Sequence, residues 1–155
     1  CFRMKGMGDL RRNDVFVFNK PVINHHITFV INYVYCKRCI GLPGDSVSIR
    51  NGYYRNNNDR GVLGCKENQT VLREMPDTLI SPEVMCAMPY DEHLPKWTIK
   101  NFGPLYIPRK GDVITITPKE AVLYLAILEW ELKGKITIDW EKNKVLNNSF
   151  DFLDV

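Results

Sequence analysis

Two turn signals, one on each side of a short alternating strand, constrain the fold of this chain more than any other feature. The Leu-Pro-Gly-Asp sequence at residues 42–45 predicts a turn, because proline presets φ and glycine readily adopts a positive φ. Ser46–Arg50 then alternates, and Asn51-Gly52 predicts a type I′ turn into the tyrosine pair that follows. The chain must therefore contain an antiparallel hairpin.

Further segments rich in strand-forming residues lie on both sides of this hairpin. Residues 15–18 are Val-Phe-Val-Phe, a continuous apolar run typical of a strand that is covered on both faces. An extended strand is predicted from about Ile27 to Ile40, and a shorter one over residues 113–116. Residues 135–148 predict a strand, a turn and a second strand.

One helix is predicted, over about residues 118–133. Thr117 is its expected N-cap, Pro118 its first residue, and Glu120 completes a capping box. Gly134 is expected to end it. Residues 55–100 show little periodicity and predict long loops with short strands.

Together these elements predict a mostly β (α+β) chain built on coiled antiparallel sheets. Residues 55–100 are expected to form a subdomain on the core.

Composition excludes several classes of protein. The chain has 155 residues and a net charge of +3 with scattered basic residues, so no nucleic-acid partner is expected. Five cysteines are an odd number, which argues against a complete disulfide framework. No apolar run approaches the ~18 residues of a membrane span. Both ends of the sequence look cut, so we expect a piece of a longer protein.

Cys36 and Cys39 form a C-x-x-C pair, which can bind metal or carry out redox chemistry. A zinc site needs four ligands, but Cys65, Cys86 and the three histidines are not at zinc-site spacings. A thioredoxin-like pair would sit at a helix N-terminus, whereas this pair ends a predicted strand. We interpret both cysteines as small apolar residues and expect no metal or cofactor. A zinc or redox protein remains an alternative that metal analysis would test.

Lys37 lies between the two cysteines in a strand dense in apolar residues. A buried lysine loses its charge more easily, because burial disfavours the charged form. The neutral amine is then a competent general base. In the alternative interpretation Lys37 or Arg38 points to solvent, since neighbouring strand residues face opposite sides.

The segment around Lys37 resembles the lysine box of type I signal peptidases, the membrane-bound serine endopeptidases that remove signal peptides. That box has the form Lys-Arg-x-x-Gly-x-Pro-Gly-Asp. Every fixed position is present: Lys37, Arg38, Gly41, Pro43, Gly44 and Asp45. Residues 11–21 are similar to the preceding box of the family, with matches at Arg12, Asn13, Asp14, Val15, Val17, Phe18 and Pro21. Residues 101–117 and the helix after them are similar to an insertion of Bacteroidetes-type members.

The resemblance implies a Ser–Lys dyad in which Lys37 is the general base for a serine nucleophile. It also implies that Val34, Tyr35 and Cys36 form the substrate-docking strand, to which an extended signal peptide adds by β-pairing. Cys36 would line the innermost pocket. In family terms, residues 1–54 would belong to the catalytic core and residues 55–155 to an inserted, non-catalytic subdomain. The implied parent acts at the bacterial cytoplasmic membrane, on its periplasmic side, through an anchor that this chain lacks.

The serine box, the last family box and the anchor have no counterpart in this sequence. Ser46 and Ser48 match no nucleophile position. The chain alone is therefore expected to be soluble and inactive, and whether its lysine is buried without its partner segments stays open. The alternative is an inactive paralogue, a non-catalytic β module that binds extended peptides by strand addition.

Overall fold

The structure is a computed structural model that describes residues 8–19 and 34–149. The chain divides into two compact units. The described part of the first consists of residues 8–18, Val34–Cys86 and Trp97–Asp112, so that the last residues of two of its strands, Asn19 and Ala87, are assigned to the second. The described part of the second consists of residue 19, residues 87–96 and residues 113–149.

The first unit is built mainly from short strands with a helical segment after the second pair. Its elements are β1 (Val15–Asn19), β2 (Val34–Arg38), β3 (Ser46–Arg50), β4 (Tyr53–Asn56), α1 (Lys66–Glu74), a 3₁₀ turn (Asp77–Leu79), α2 (Pro82–Met85), β5 (Cys86–Ala87), β6 (Trp97–Thr98) and β7 (Phe102–Tyr106). β1 and β2 form a two-stranded sheet. β3 is the centre of a three-stranded antiparallel sheet in the order β4-β3-β7.

The second unit holds two helices and one hairpin. Its elements are α3 (Pro118–Leu123), α4 (Leu125–Leu132), β8 (Gly134–Asp139) and β9 (Lys144–Ser149). β8 and β9 pair antiparallel from Gly134 opposite Ser149 to Asp139 opposite Lys144. This hairpin confirms the strand, turn and strand predicted over residues 135–148, and the whole confirms the mostly β, α+β class.

The two turn signals of the sequence form as predicted. Asp45 N donates to Leu42 O at 2.9 Å, and Gly44 has a φ of +91° that a residue with a side chain rarely adopts. Asn51 and Gly52 both have positive φ, +49° and +82°, as a type I′ turn requires. They join β3 to β4, with Arg50 opposite Tyr53.

Gly41 is a packing requirement of the core beneath β3. A Cβ on this residue would lie 2.6 Å from Val47 Cγ1 and 2.5 Å from Ile107 Cδ1. Val47 is buried and sits on the central strand, and its β-branched side chain has few rotamers to which it can move.

We expect Gly41→Ala to lower the free energy of unfolding by about 1–3 kcal/mol, the cost of overpacking a filled core. Denaturant unfolding followed by circular dichroism measures it. Gly8→Ala is the matched control, because no atom lies within 4 Å of a Cβ at Gly8. Equal stability of the two variants would contradict the packing argument.

Three strand predictions need correction or qualification. Residues 113–116 are not a strand, and Val113 is 98% exposed. The third strand of the sheet is instead β7, in a segment for which no strand was predicted. β1 forms as predicted but is not covered on both faces, since Val15 and Val17 are exposed. Of the strand predicted over residues 27–40, residues 34–38 form β2 and residues 39–40 are not strand; residues 27–33 lie outside the described residues.

The helix predicted over residues 118–133 is interrupted. Tyr124, with φ −108° and ψ 14°, separates α3 from α4, and α4 ends at Lys133 in the left-handed conformation rather than at Gly134, which begins β8. The side chains of Thr117 and Glu120 bond to each other rather than to the helix backbone. α1, within residues 55–100, was not predicted. The predicted boundary at residue 54, between a catalytic core and an inserted subdomain of the parent protein, stays a prediction.

Candidate functional site

A cleft of about 340 Å³ lies in the first unit beside the end of β2. One part of its lining comes from the lysine box, and another from α1 and the residues just before it. The lining residues are Lys37, Arg38, Ile40, Tyr54, Gly64, Cys65, Asn68, Gln69 and Leu72. The predicted general base, Lys37, therefore lines a concave surface. Ligands commonly bind at such surfaces in proteins.

Lys37 itself is exposed, as are all five residues of β2. The apolar sequence around it favoured burial, but no described element covers this strand apart from its pairing with β1. Val34, Tyr35 and Cys36 precede it on the same exposed strand and do not line the cleft. The Tyr35 ring stacks on Phe18 of β1 at a centroid distance of 5.8 Å.

The strongest polar contact near the site joins the two family-like boxes. Arg12 donates from Nη2 to Asp45 Oδ1 at 2.6 Å and from Nε to Asp45 Oδ2 at 2.8 Å. Paired bonds of this kind between guanidinium and carboxylate are among the strongest that side chains make. Arg12 precedes β1, and Asp45 ends the turn that follows β2.

Asp45 is 1% exposed and accepts three further hydrogen bonds. Its donors are Leu42 N at 2.8 Å, Asn56 Nδ2 at 2.7 Å and Asn58 Nδ2 at 2.9 Å. The Arg12 guanidinium, helped by these amides, holds the pKa of this carboxyl far below its usual range, against the opposing effect of burial. The carboxylate thus fixes the turn of the lysine box to β4 and to the segment before β1.

This network of Arg12 and Asp45 was not predicted as part of the site. Both residues occur at fixed positions of the two boxes, and their opposite charges were the available signal. Nothing in the sequence spacing gave the distance between them.

The two cysteines of the C-x-x-C pair have different surroundings. Cys36 is exposed, whereas Cys39 is buried, and its Sγ contacts Gly41 O at 3.2 Å. Cys39 is thus a small buried residue, as we interpreted it. Within residues 8–19 and 34–149, no three His, Cys, Asp or Glu side chains come together in a way that could hold a metal ion. His25 and His26 lie outside the described residues.

The described residues thus define a mostly antiparallel β protein in which a lysine lines a cleft, and in which Arg12 forms an ion pair with the buried carboxylate of Asp45. Residues 2–75, which contain both boxes and the whole cleft lining, match the family model described as signal peptidase, peptidase S26. This match over just under half of the chain supports the assignment to the signal peptidase family that the resemblance implied. Searches of curated proteins and of solved structures gave no match to the chain. In the described part of the chain, every helix is too short or too polar to cross a membrane.

Proposed function

We propose that this chain carries the general-base half of a Ser–Lys signal peptidase, with Lys37 as the base. The observation that supports it most is the ion pair of Arg12 and Asp45, which joins the family's two boxes, together with the cleft that Lys37 lines. The serine would come from another segment of the parent protein. Its hydroxyl attacks the scissile carbonyl while the neutral lysine amine takes the hydroxyl proton.

General-base action requires that Lys37 lose its proton near neutral pH. Removal of water from around an amine favours its neutral form, whereas Lys37 is exposed in this chain. The partner segments and the bound substrate would have to exclude water from it. Activity is therefore a property of the parent protein and its substrate complex.

Signal peptides of secreted preproteins are the proposed substrates. An extended peptide would add along β2 by backbone pairing beside Val34, Tyr35 and Cys36. The exposure of this strand supports that proposal, because β1 is the one described strand that pairs with it and its three residues remain exposed. The parent would hold the site at the periplasmic face of the bacterial cytoplasmic membrane through an anchor.

The same exposed strand favours a second candidate, a non-catalytic β module that binds extended peptides by strand addition. The two candidates make the same prediction for binding and different predictions for cleavage by the parent protein. A serine box after a membrane-spanning segment in the parent would support the first candidate, and its absence the second.

The 155-residue chain alone is expected to cleave no signal peptide, because it supplies no serine at a nucleophile position. Incubation with a synthetic signal-peptide substrate, followed by mass spectrometry, measures this. In the same sample, NMR should show shifts of the amide signals of Val34–Lys37 when the peptide is added. If the chain cleaves the peptide and Lys37→Ala abolishes that cleavage, the chain is active by itself. That result would contradict the proposal that the serine comes from another segment of the parent protein.

A further inference from the structure

We propose that Asn13 is a positioning residue that holds the two sides of the Lys37 cleft at a fixed separation. This inference rests on the proposed function for its meaning in catalysis, but its geometry is independent of it. Asn13 lies between Arg12 and β1 and does not line the cleft. Its backbone nevertheless forms hydrogen bonds with the residues that follow Lys37, and its side chain forms them with the loop of residues 62–64.

The backbone of Asn13 is attached to the strand that carries Lys37. Asn13 N donates to Cys39 O at 2.7 Å, and Arg38 Nη1 donates to Asn13 O at 2.6 Å. Cys39 N in turn donates to Asp14 O at 2.8 Å. Arg38 and Cys39 directly follow Lys37, so these bonds fix the end of β2 from which the lysine projects.

The side chain of Asn13 is attached to the opposite side of the cleft. Its Oδ1 accepts from Gly64 N at 2.7 Å, and its Nδ2 donates to Val62 O at 2.8 Å. Gly64 and the next residue, Cys65, line the cleft. One amide group therefore clamps the loop of residues 62–64 through both its acceptor and its donor.

The loop has little freedom to adjust on its other side. Gly64 has a φ of +74°, and a Cβ there would lie 2.8 Å from two atoms of the Tyr54 ring. Gln69, which is buried in the same lining, donates from Nε2 to Leu63 O at 2.6 Å and accepts from Tyr54 N at 2.9 Å. Asn13 thus links this constrained loop to the strand that carries Lys37.

The backbone conformation of Asn13 allows a substitution that removes its side-chain hydrogen bonds and keeps its backbone hydrogen bonds. Its φ of +72° lies in the left-handed region, which glycine adopts without cost and asparagine more readily than most residues. Glycine at this position would keep the backbone bonds to Cys39 and Arg38 and lose only the two side-chain bonds to the loop. Asn13→Asp would keep an acceptor for Gly64 N and lose the donor to Val62 O.

We expect Asn13→Gly to increase the hydrogen-exchange rate of the Gly64 amide roughly tenfold, since that amide loses its acceptor. The NMR signals of Lys37 and Arg38 should shift, whereas those of the β8–β9 hairpin should not. Asn13→Asp should restore much of the Gly64 protection. A merely structural role would instead raise exchange throughout the first unit and would not be rescued selectively at Gly64.

The affinity of a signal peptide with small residues before its cleavage site then tests the link to function. If the wild-type chain binds this peptide, Asn13→Gly should weaken its binding about tenfold, and Asn13→Asp less. A wild-type chain that binds no peptide would count against the proposed function, while the Gly64 and Lys37 signals would still decide on Asn13. Unchanged Gly64 exchange and unchanged Lys37 signals in Asn13→Gly would overturn the inference.

Discussion

Asp45→Asn is expected to lower the free energy of unfolding by about 1–3 kcal/mol, because the donors around this buried position lose a charged acceptor. The carboxylate is 1% exposed and receives five hydrogen bonds. The asparagine amide has the same shape but only one acceptor oxygen for these donors. Its NH₂ group, itself a donor, would face donors that now bond to the second carboxylate oxygen. Each buried donor left without an acceptor costs about 1–3 kcal/mol.

Chemical denaturation of the two proteins at neutral pH measures this difference. The matched control is Asp77→Asn, because Asp77 also pairs with a cation, Lys100 at 2.6 Å, but its side chain is 73% exposed. Exposed pairs contribute little to stability, so the control should be much closer to the wild type. Equal losses of unfolding free energy in the two variants would show that the buried Asp45 network does not stabilise the fold more than an exposed ion pair does.

The Asp45 contribution also depends on pH, with a defined sign. The pKa of this carboxyl is lowered in the folded chain from its ordinary value of 3.8, chiefly by the Arg12 hydrogen bond. Its stabilising effect is therefore complete above about pH 4 and is lost progressively as the pH falls below that value. The difference in stability between wild type and Asp45→Asn should shrink over the same acid range, and a constant difference would contradict this assignment.

Local turn chemistry accounts for most of what the sequence predicted correctly about the fold. Asn51-Gly52 and the turn at residues 42–45 require positive φ at fixed places, and few other structures satisfy such sequences. The β8–β9 hairpin followed from two alternating runs around a turn. These signals depend on neighbouring residues alone and need no knowledge of the tertiary structure.

The elements that were missed depend on distant contacts. α1 has a polar sequence, and its buried residue is Gln69, so a search for an apolar stripe could not find it. β7 contains Gly103 and Pro104, residues that ordinarily weaken a strand, yet it pairs with β3. Residues 113–116 have a strand-like sequence, but no described strand pairs with them.

The sequence predicted the key residue of the candidate site, but it did not predict the hydrogen bonds and the exposure around that residue. The motif singled out Lys37, and the cleft beside it is consistent with that choice. The roles of Asp45, Arg12 and Asn13 became visible only with distances, because a motif records which residues recur and not which atoms meet. The exposure of Lys37 likewise depends on which elements cover β2.

In the parent protein, Lys37→Arg is expected to reduce signal-peptide cleavage by about 10²–10⁴-fold, the usual contribution of a general base. Arginine keeps the positive charge and much of the length of lysine, but it cannot be deprotonated in a protein. The substitution therefore removes the base while it preserves the charge at the edge of the cleft. Binding of the signal peptide should change far less than the rate of cleavage.

Lys66→Arg is the matched control for this substitution. Lys66 is an exposed lysine at the start of α1, directly after Cys65 of the cleft lining. It makes no proposed contact with the reacting groups, so the same chemical change there should leave cleavage near the wild-type rate. A loss of activity in both variants would point to charge or folding rather than to proton transfer.

The most direct test of the account is therefore the cleavage rate of a preprotein by the parent protein in membranes, compared among wild type, Lys37→Arg and Lys66→Arg. We expect cleavage by the wild type and the Lys66 variant, and a loss of at least about a hundredfold in the Lys37 variant. Wild-type cleavage by the Lys37 variant would contradict it, as would a wild-type parent that binds signal peptides and never cleaves them.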